Sequence, residues 1–105
     1  MTIFYAQYHA EPLPGSEQFE VSGGAYVSCW VKAKNVNEAS LLISTTIKEA
    51  GWKVVGVEDE CQQVDELWYA QDSKGKEHFA QAVSDGECYV FDQWPIEPQE
   101  GDNVN

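Results

Sequence analysis

Arginine is absent from this sequence, and cationic residues are few. The 105 residues include 6 lysines against 18 aspartates and glutamates, which gives a formal net charge of −12. Without arginine, the chain has no bidentate guanidinium clamp for a carboxylate or phosphate substrate. The negative charge repels phosphate-rich partners at long range, so we expect this protein not to bind nucleic acid.

Long apolar runs are also missing. No stretch approaches the ~20 consecutive apolar residues of a membrane-spanning helix. Residues 1–10 show neither the basic start nor the apolar core of a signal peptide. We therefore expect no membrane partner and a cytoplasmic location.

Cysteine is scarce and odd in number. Cys29, Cys61 and Cys88 form no C-x-x-C pair, which favours reduced thiols in a cytoplasm over a disulfide framework. Structural zinc sites usually show paired local ligands, and no such pair accompanies His9 or His78. We predict no metal and no cofactor.

The apolar content is nevertheless sufficient for one folded domain. Hydrophobic residues make up 43% of the chain and aromatic residues 12%, which is too apolar for a disordered polymer of this charge. Residues 1–94 are predicted to form a single domain. Residues 95–105 are acidic and interrupted by proline and glycine, so we expect a disordered tail.

Hydrophobic periodicity predicts a mixed succession of strands and helices. Alternating patterns predict strands at 2–10, 25–34, 52–58 and 87–94. A first helix is predicted to start at an N-cap, Asn35 or Asn37, and to end at Gly51. A second helix is predicted at 76–84, whereas residues 58–71 fit either a short helix or an extended segment.

This order of elements predicts an α+β fold. We expect an antiparallel sheet of about four strands with one to three helices packed on one face, broadly a ferredoxin-like sandwich. A fold of this kind does not by itself indicate a function.

The most informative feature is a set of aromatic residues on the predicted sheet face that points away from the helices. Small apolar residues alternate along strand 25–34, so Tyr26 and Trp30 point to the other face, beside Ile3 and Tyr5. Such a patch exceeds what a monomer usually exposes. Two interpretations stay open: the 11–24 loop or the tail covers the patch, or the patch binds a partner or a second copy of the chain.

The negative charge is concentrated in the second half of the chain. Residues 1–57 contain five acids and four lysines, whereas residues 58–105 contain thirteen acids and two lysines. A solvated face that maintains solubility would give this pattern, and so would a surface for a basic partner. The residues predicted to form that acidic partner surface are Glu58, Asp59, Glu60, Asp65 and Glu66.

Motifs of nucleophilic, phosphate-binding and zinc-dependent catalysis are absent from the sequence. A Cys–His dyad using Cys29 or Cys88 would have to assemble in space, because no local spacing suggests one. We therefore predict no catalytic residue and favour a protein that is not an enzyme.

Together these observations favour a small acidic interaction protein. It would bind a basic protein partner, or form a homodimer through the aromatic sheet face. The alternative is a small-molecule-binding domain or minor enzyme with a pocket between the sheet and the 11–24 loop. The residues predicted to form the ligand site or interface are Tyr5, His9, Tyr26 and Trp30.

Overall fold

Four antiparallel strands form one sheet in the order β3-β1-β2-β4. The computed structural model describes residues 2–96. Its elements are β1 (Thr2–Pro12), β2 (Ser22–Ala33), α1 (Val36–Glu49), β3 (Trp52–Val64), a 3₁₀ helix (Glu66–Tyr69), α2 (Ser73–Asp85) and β4 (Glu87–Pro95). The predicted α+β class and four-stranded antiparallel sheet are confirmed. The ferredoxin-like topology is not, because β1 and β2 follow each other directly, whereas the ferredoxin-like order places a helix between the first two strands.

Local hydrogen bonds fix both ends of α1. The Asn35 side chain accepts a hydrogen bond from the Glu38 backbone N–H at 2.9 Å, and the Glu38 carboxylate accepts one from the Lys34 N–H at 3.1 Å. At the other end Gly51 adopts a φ of +94°, a left-handed conformation that favours glycine. Asn35 rather than Asn37 is therefore the N-cap, and Gly51 ends the helix as predicted.

α1 packs on one face of the sheet through three fully buried residues, Ala39, Ile43 and Ile47. The residues of β2 beneath it are small, so the helix can approach this strand closely. On β2 the residues in this core are Ala25, Val27, Cys29, Val31 and Ala33.

α2 lies on the opposite face, so the prediction that the helices pack on one face is wrong. Its residue Ala82 is fully buried in a cluster with Trp30. The Lys32 ammonium donates to the Val83 carbonyl oxygen at 2.6 Å, and the His78 and Trp30 ring centroids are 4.9 Å apart. The physical reason is that β2 carries a large apolar side chain on this face as well, and α2 removes it from water.

β3 is longer and less regular than predicted. It continues to Val64, which resolves the first part of the ambiguous 58–71 segment as extended, and the 3₁₀ helix follows. The pairing of β3 with β1 shifts register at three places. Such bulges twist an edge strand and hinder pairing with another chain.

The end of the predicted domain lies close to the end of β4. Pro95 pairs with Ser22, so the sheet extends one residue beyond the predicted boundary at 94. Residues 97–105, which make up most of the predicted tail, lie outside the described residues. Within residues 2–96, no helix combines the length and apolar character needed to cross a membrane.

The packing of α1 predicts a large difference between two neighbouring substitutions. Ile43 is fully buried whereas Leu41 is 68% exposed. Ile43→Ala should lower the free energy of unfolding by about 2–5 kcal/mol, because it removes buried methyl groups and leaves a cavity. Leu41→Ala should change it by less than about 0.5 kcal/mol. Urea unfolding followed by circular dichroism measures both; equal losses would contradict the placement of α1.

Candidate functional site

The candidate site lies on the sheet face that carries α2. Strand pairing aligns the side chains of this face in rows that cross all four strands. The first row is Gln62, Tyr5, Trp30 and Cys88; the second is Asp59, Gln7, Ser28 and Val90; the third is Gly56, His9, Tyr26 and Asp92.

The four aromatic residues singled out from the sequence lie on this face in two pairs. The ring centroids of Tyr5 and Trp30 are 5.1 Å apart, and those of His9 and Tyr26 are 5.6 Å apart. Trp30 is 5% exposed, because α2 and the 3₁₀ helix cover it, whereas Tyr26 is 41% exposed. The Tyr5–Trp30 pair is therefore covered by α2 together with the 3₁₀ helix, and not by the 11–24 loop.

The connection between β1 and β2 lies elsewhere. The Leu13 backbone N–H donates to the Gly51 carbonyl oxygen at 2.8 Å, which holds the start of this connection against the end of α1. The cavity that contains Tyr5 and Trp30 is therefore bounded by a different part of the chain from the one we expected.

A cleft of about 730 Å³ opens between the sheet face and the segment formed by the 3₁₀ helix and the start of α2. Tyr5, Ser28 and Trp30 line it from the sheet. Trp68 and Tyr69 line it from the 3₁₀ helix, and its volume is in the range of small-molecule and side-chain pockets. We refer to this cavity as the aromatic cleft.

Acidic side chains surround the aromatic cleft. The described residues that line it include one lysine, Lys74, and four carboxylates, which are Asp59, Asp72, Glu77 and Asp92. They come from β3, α2 with its N-cap, and β4, so carboxylates lie on several sides of the opening. Low-dielectric walls and charges of one sign focus the field, which attracts cations.

Hydrogen bonds hold the polar groups of the cleft. The Trp30 indole N–H donates to the Tyr69 hydroxyl at 2.8 Å, and the Gln7 amide donates to the Ser28 hydroxyl at 2.9 Å. Burial raises the pKa of Tyr5 and that of Tyr69, although hydrogen bonds to Ser28 and Trp30 respectively oppose the shift. Both phenols therefore stay protonated at neutral pH and can donate to a bound acceptor.

Two helix N-caps and one close contact at a glycine position the 3₁₀ helix and the start of α2, which form one wall of the aromatic cleft. The Asp65 carboxylate accepts from the Leu67 N–H at 2.9 Å, and the Asp72 carboxylate accepts from the Gly75 N–H at 3.0 Å. A Cβ at Gly75 would collide with the Tyr69 ring and the Asp72 carboxylate. Only glycine therefore allows α2 to begin so close to the 3₁₀ helix.

The five acids predicted to form a partner surface are all exposed. Asp59 lines the aromatic cleft. Glu60 lies on the α1 side, where its charge adds to burial in raising the pKa of Tyr8. Asp65 caps the 3₁₀ helix, and Glu66 lies in its first turn. The remaining residue, Glu58, is exposed on the edge strand β3.

Sequence reasoning missed several residues of the cleft. Asp72, Glu77 and Asp92 were not singled out, because their convergence depends on α2 crossing to the second face. Leu67 and Trp68 suited the buried side of a short helix by their spacing, yet they are 80% and 58% exposed. The sequence signal that could have located this part of the cleft is the Asp72-Ser73-Lys74-Gly75 turn, because Asp72 is the N-cap of α2.

The structure brings one cysteine and one histidine together. The Cys88 Sγ lies 3.6 Å from the His78 Nδ1, and Cys88 is buried. Burial raises the pKa of this thiol, and the charge of Asp85 raises it further. A catalytic cysteine needs a lowered pKa, which is the opposite of the shift at Cys88. Within residues 2–96, no group of three or more histidine, cysteine, aspartate or glutamate side chains converges as a metal site.

Comparison with known proteins gives no relative: the chain matches no family model, no curated protein and no solved structure. Fold and site together define a small α+β protein with an acidic aromatic cleft on one sheet face. Any functional conclusion therefore depends on the chemistry of that cleft.

The thiol environments predict an order of alkylation by iodoacetamide at pH 7.5. Cys61 is partly exposed and should react first, Cys88 more slowly, and the fully buried Cys29 only on unfolding. Mass spectrometry of timed samples measures the order. His78→Ala should not slow the reaction of Cys88. A Cys88 that reacts faster than free cysteine, and that His78→Ala slows, would contradict the assignment of this pair as structural.

Proposed function

We propose that this protein is a non-catalytic interaction protein that binds a basic protein partner through the aromatic cleft. One observation carries the proposal. Aromatic side chains and four carboxylates line the same cavity, and the described lining contains a single lysine.

The chemistry of this lining suits a lysine or arginine side chain. Such a side chain has an apolar stem and a charged head, so the stem can pack against rings while the head stays near carboxylates. Trp68 and Tyr69 offer the rings, and Asp59 and Asp92 offer the charge from the sheet side. A cation over an aromatic face gains further attraction from the ring quadrupole.

The exposed apolar residues beside the cleft support a protein partner. Leu67 and Trp68 project from the 3₁₀ helix with 80% and 58% of their surface exposed. Tryptophan is enriched among residues that dominate interface energies, and acidic neighbours increase the rate at which a basic partner associates. The three free thiols are compatible with a reducing cytoplasm, which remains the proposed location.

Two other readings of the site remain as candidates. A small molecule could occupy the cleft, since its volume is about 730 Å³ and the Tyr5 and Tyr69 hydroxyls can donate hydrogen bonds. Self-association through the sheet face could use the uncovered part around Tyr26, because α2 covers Trp30. Binding of a small neutral ligand would be insensitive to salt, whereas binding of a basic protein weakens as salt rises.

The first test uses a peptide of nine lysines as the probe, with fluorescence anisotropy as the readout. The double variant Asp59→Asn/Asp92→Asn should weaken binding at least about tenfold, because both carboxylates line the cleft. The matched control Glu17→Gln/Glu20→Gln removes the same charge from exposed residues of the β1–β2 connection and should weaken binding less than about twofold. Equal effects of the two pairs would show that net charge alone attracts the peptide, and would overturn the proposal.

The second test addresses the aromatic contribution. Trp68→Ala should weaken binding of the same peptide about tenfold by removing an exposed ring, while the urea midpoint stays unchanged within error. Leu41→Ala is the control, because this apolar residue is also more than half exposed and lies on α1, on the other side of the sheet. Unchanged binding in Trp68→Ala would exclude the ring from the interface.

A further inference from the structure

Three aromatic rings lie together next to the aromatic cleft, on the same face of the sheet. The ring centroids are 5.6 Å apart for His9 and Tyr26, 5.4 Å for His9 and Trp94, and 5.1 Å for Tyr26 and Trp94. The three ring planes are inclined to one another by 46–56°. We refer to these three residues as the aromatic shelf.

Backbone geometry fixes the position of Trp94. Its indole packs directly on Gly23 and Gly24 of β2: a Cβ at Gly24 would collide with the ring, and a Cβ at Gly23 would lie only 3.0 Å from it. Trp94 pairs with Gly24 across the β2–β4 ladder, so the strand register holds the indole next to Tyr26. The backbone of the sheet thus determines the position of the shelf.

The shelf is accessible and borders negative charge. Tyr26 is 41% exposed, and His9 and Trp94 are partly exposed. Asp92 is the direct cross-strand partner of Tyr26, and its side chain also lines the aromatic cleft. A carboxylate therefore lies between the shelf and the cleft, where one ligand could contact both.

We propose that the aromatic shelf binds an arginine side chain of the basic partner, stacked on the rings and paired with the Asp92 carboxylate. This inference rests on the proposed function and adds the identity of a contacting side chain. The charge complementarity between the shelf's surroundings and a cation selects this occupant, since the whole chain carries a net charge of −12.

Arginine fits the shelf better than lysine does. The centroids are so close together that a cation above their centre lies within the ~6 Å range of all three rings. A guanidinium group is planar and weakly hydrated, so it stacks on an aromatic face while its N–H groups still reach a carboxylate. An ammonium group is compact and strongly hydrated, and gains less from such a surface.

The test compares peptides of nine arginines and nine lysines on three forms of the protein. Tyr26→Leu should weaken binding of the arginine peptide about threefold to tenfold and that of the lysine peptide less than about twofold. Tyr26→Phe keeps the ring and should leave both affinities unchanged. Equal weakening of both peptides by Tyr26→Leu, or no weakening, would overturn the inference while the proposed function stands.

Further measurements separate the remaining outcomes. In the wild-type protein, the Trp94 indole N–H resonance, assigned with Trp94→Phe, should shift more with the arginine peptide than with the lysine peptide. If it does not, the inference fails even where Tyr26→Leu does not fold. If neither peptide binds the wild-type protein, the proposed function fails as well. A wild-type dimer in light scattering that Tyr26→Glu converts to a monomer would show that a second copy occupies the shelf, and would also overturn the inference.

Discussion

The burial of one indole connects the sheet to everything that lies on its second face. Trp30 lies on that face beneath α2, 5% exposed, with the rings of Tyr5, Tyr69 and His78 around it. Its N–H donates to the Tyr69 hydroxyl, so the apolar contact also satisfies the polar atom of the ring. Because this single side chain contacts both the 3₁₀ helix and α2, it determines where the wall of the cleft stands.

Helices cover the two faces of the sheet in different ways, and this difference produces the aromatic cleft and the aromatic shelf. On the first face, the small side chains of β2 let α1 approach closely, and Ile43 and Ile47 are fully buried against the sheet. On the second face, large rings and the short 3₁₀ helix hold α2 away from the strands at one end of the sheet. The other end of this face stays open. The aromatic cleft and the aromatic shelf therefore follow from the rings that β1, β2 and β4 carry on this face, which are Tyr5, His9, Tyr26, Trp30 and Trp94.

Sequence reasoning could predict the features that depend on neighbours along the chain. The N-cap at Asn35 or Asn37, the glycine end of α1 and the alternation of β2 are local features, and the structure has each of them, with Asn35 as the cap. The placement of α2 was predicted wrongly. Alternation of apolar and polar residues shows that a strand has two faces, but it does not show which face a later helix will cover. The convergence of the cleft carboxylates could not be predicted for the same reason, since these residues belong to elements far apart in the sequence.

In the proposed interaction, the position of the negative charge gives the open surface its specificity. Uncovered aromatic rings attract apolar surfaces of any kind, including a second copy of the same chain. Carboxylates around the cleft and beside the shelf make close approach of another acidic surface costly, while they attract a basic one. Asp92 belongs to both surfaces, so in the proposed interaction the same charge would discourage self-association and attract the basic partner. In that interaction, the acidity of the second half of the chain would limit the range of partners that these rings accept.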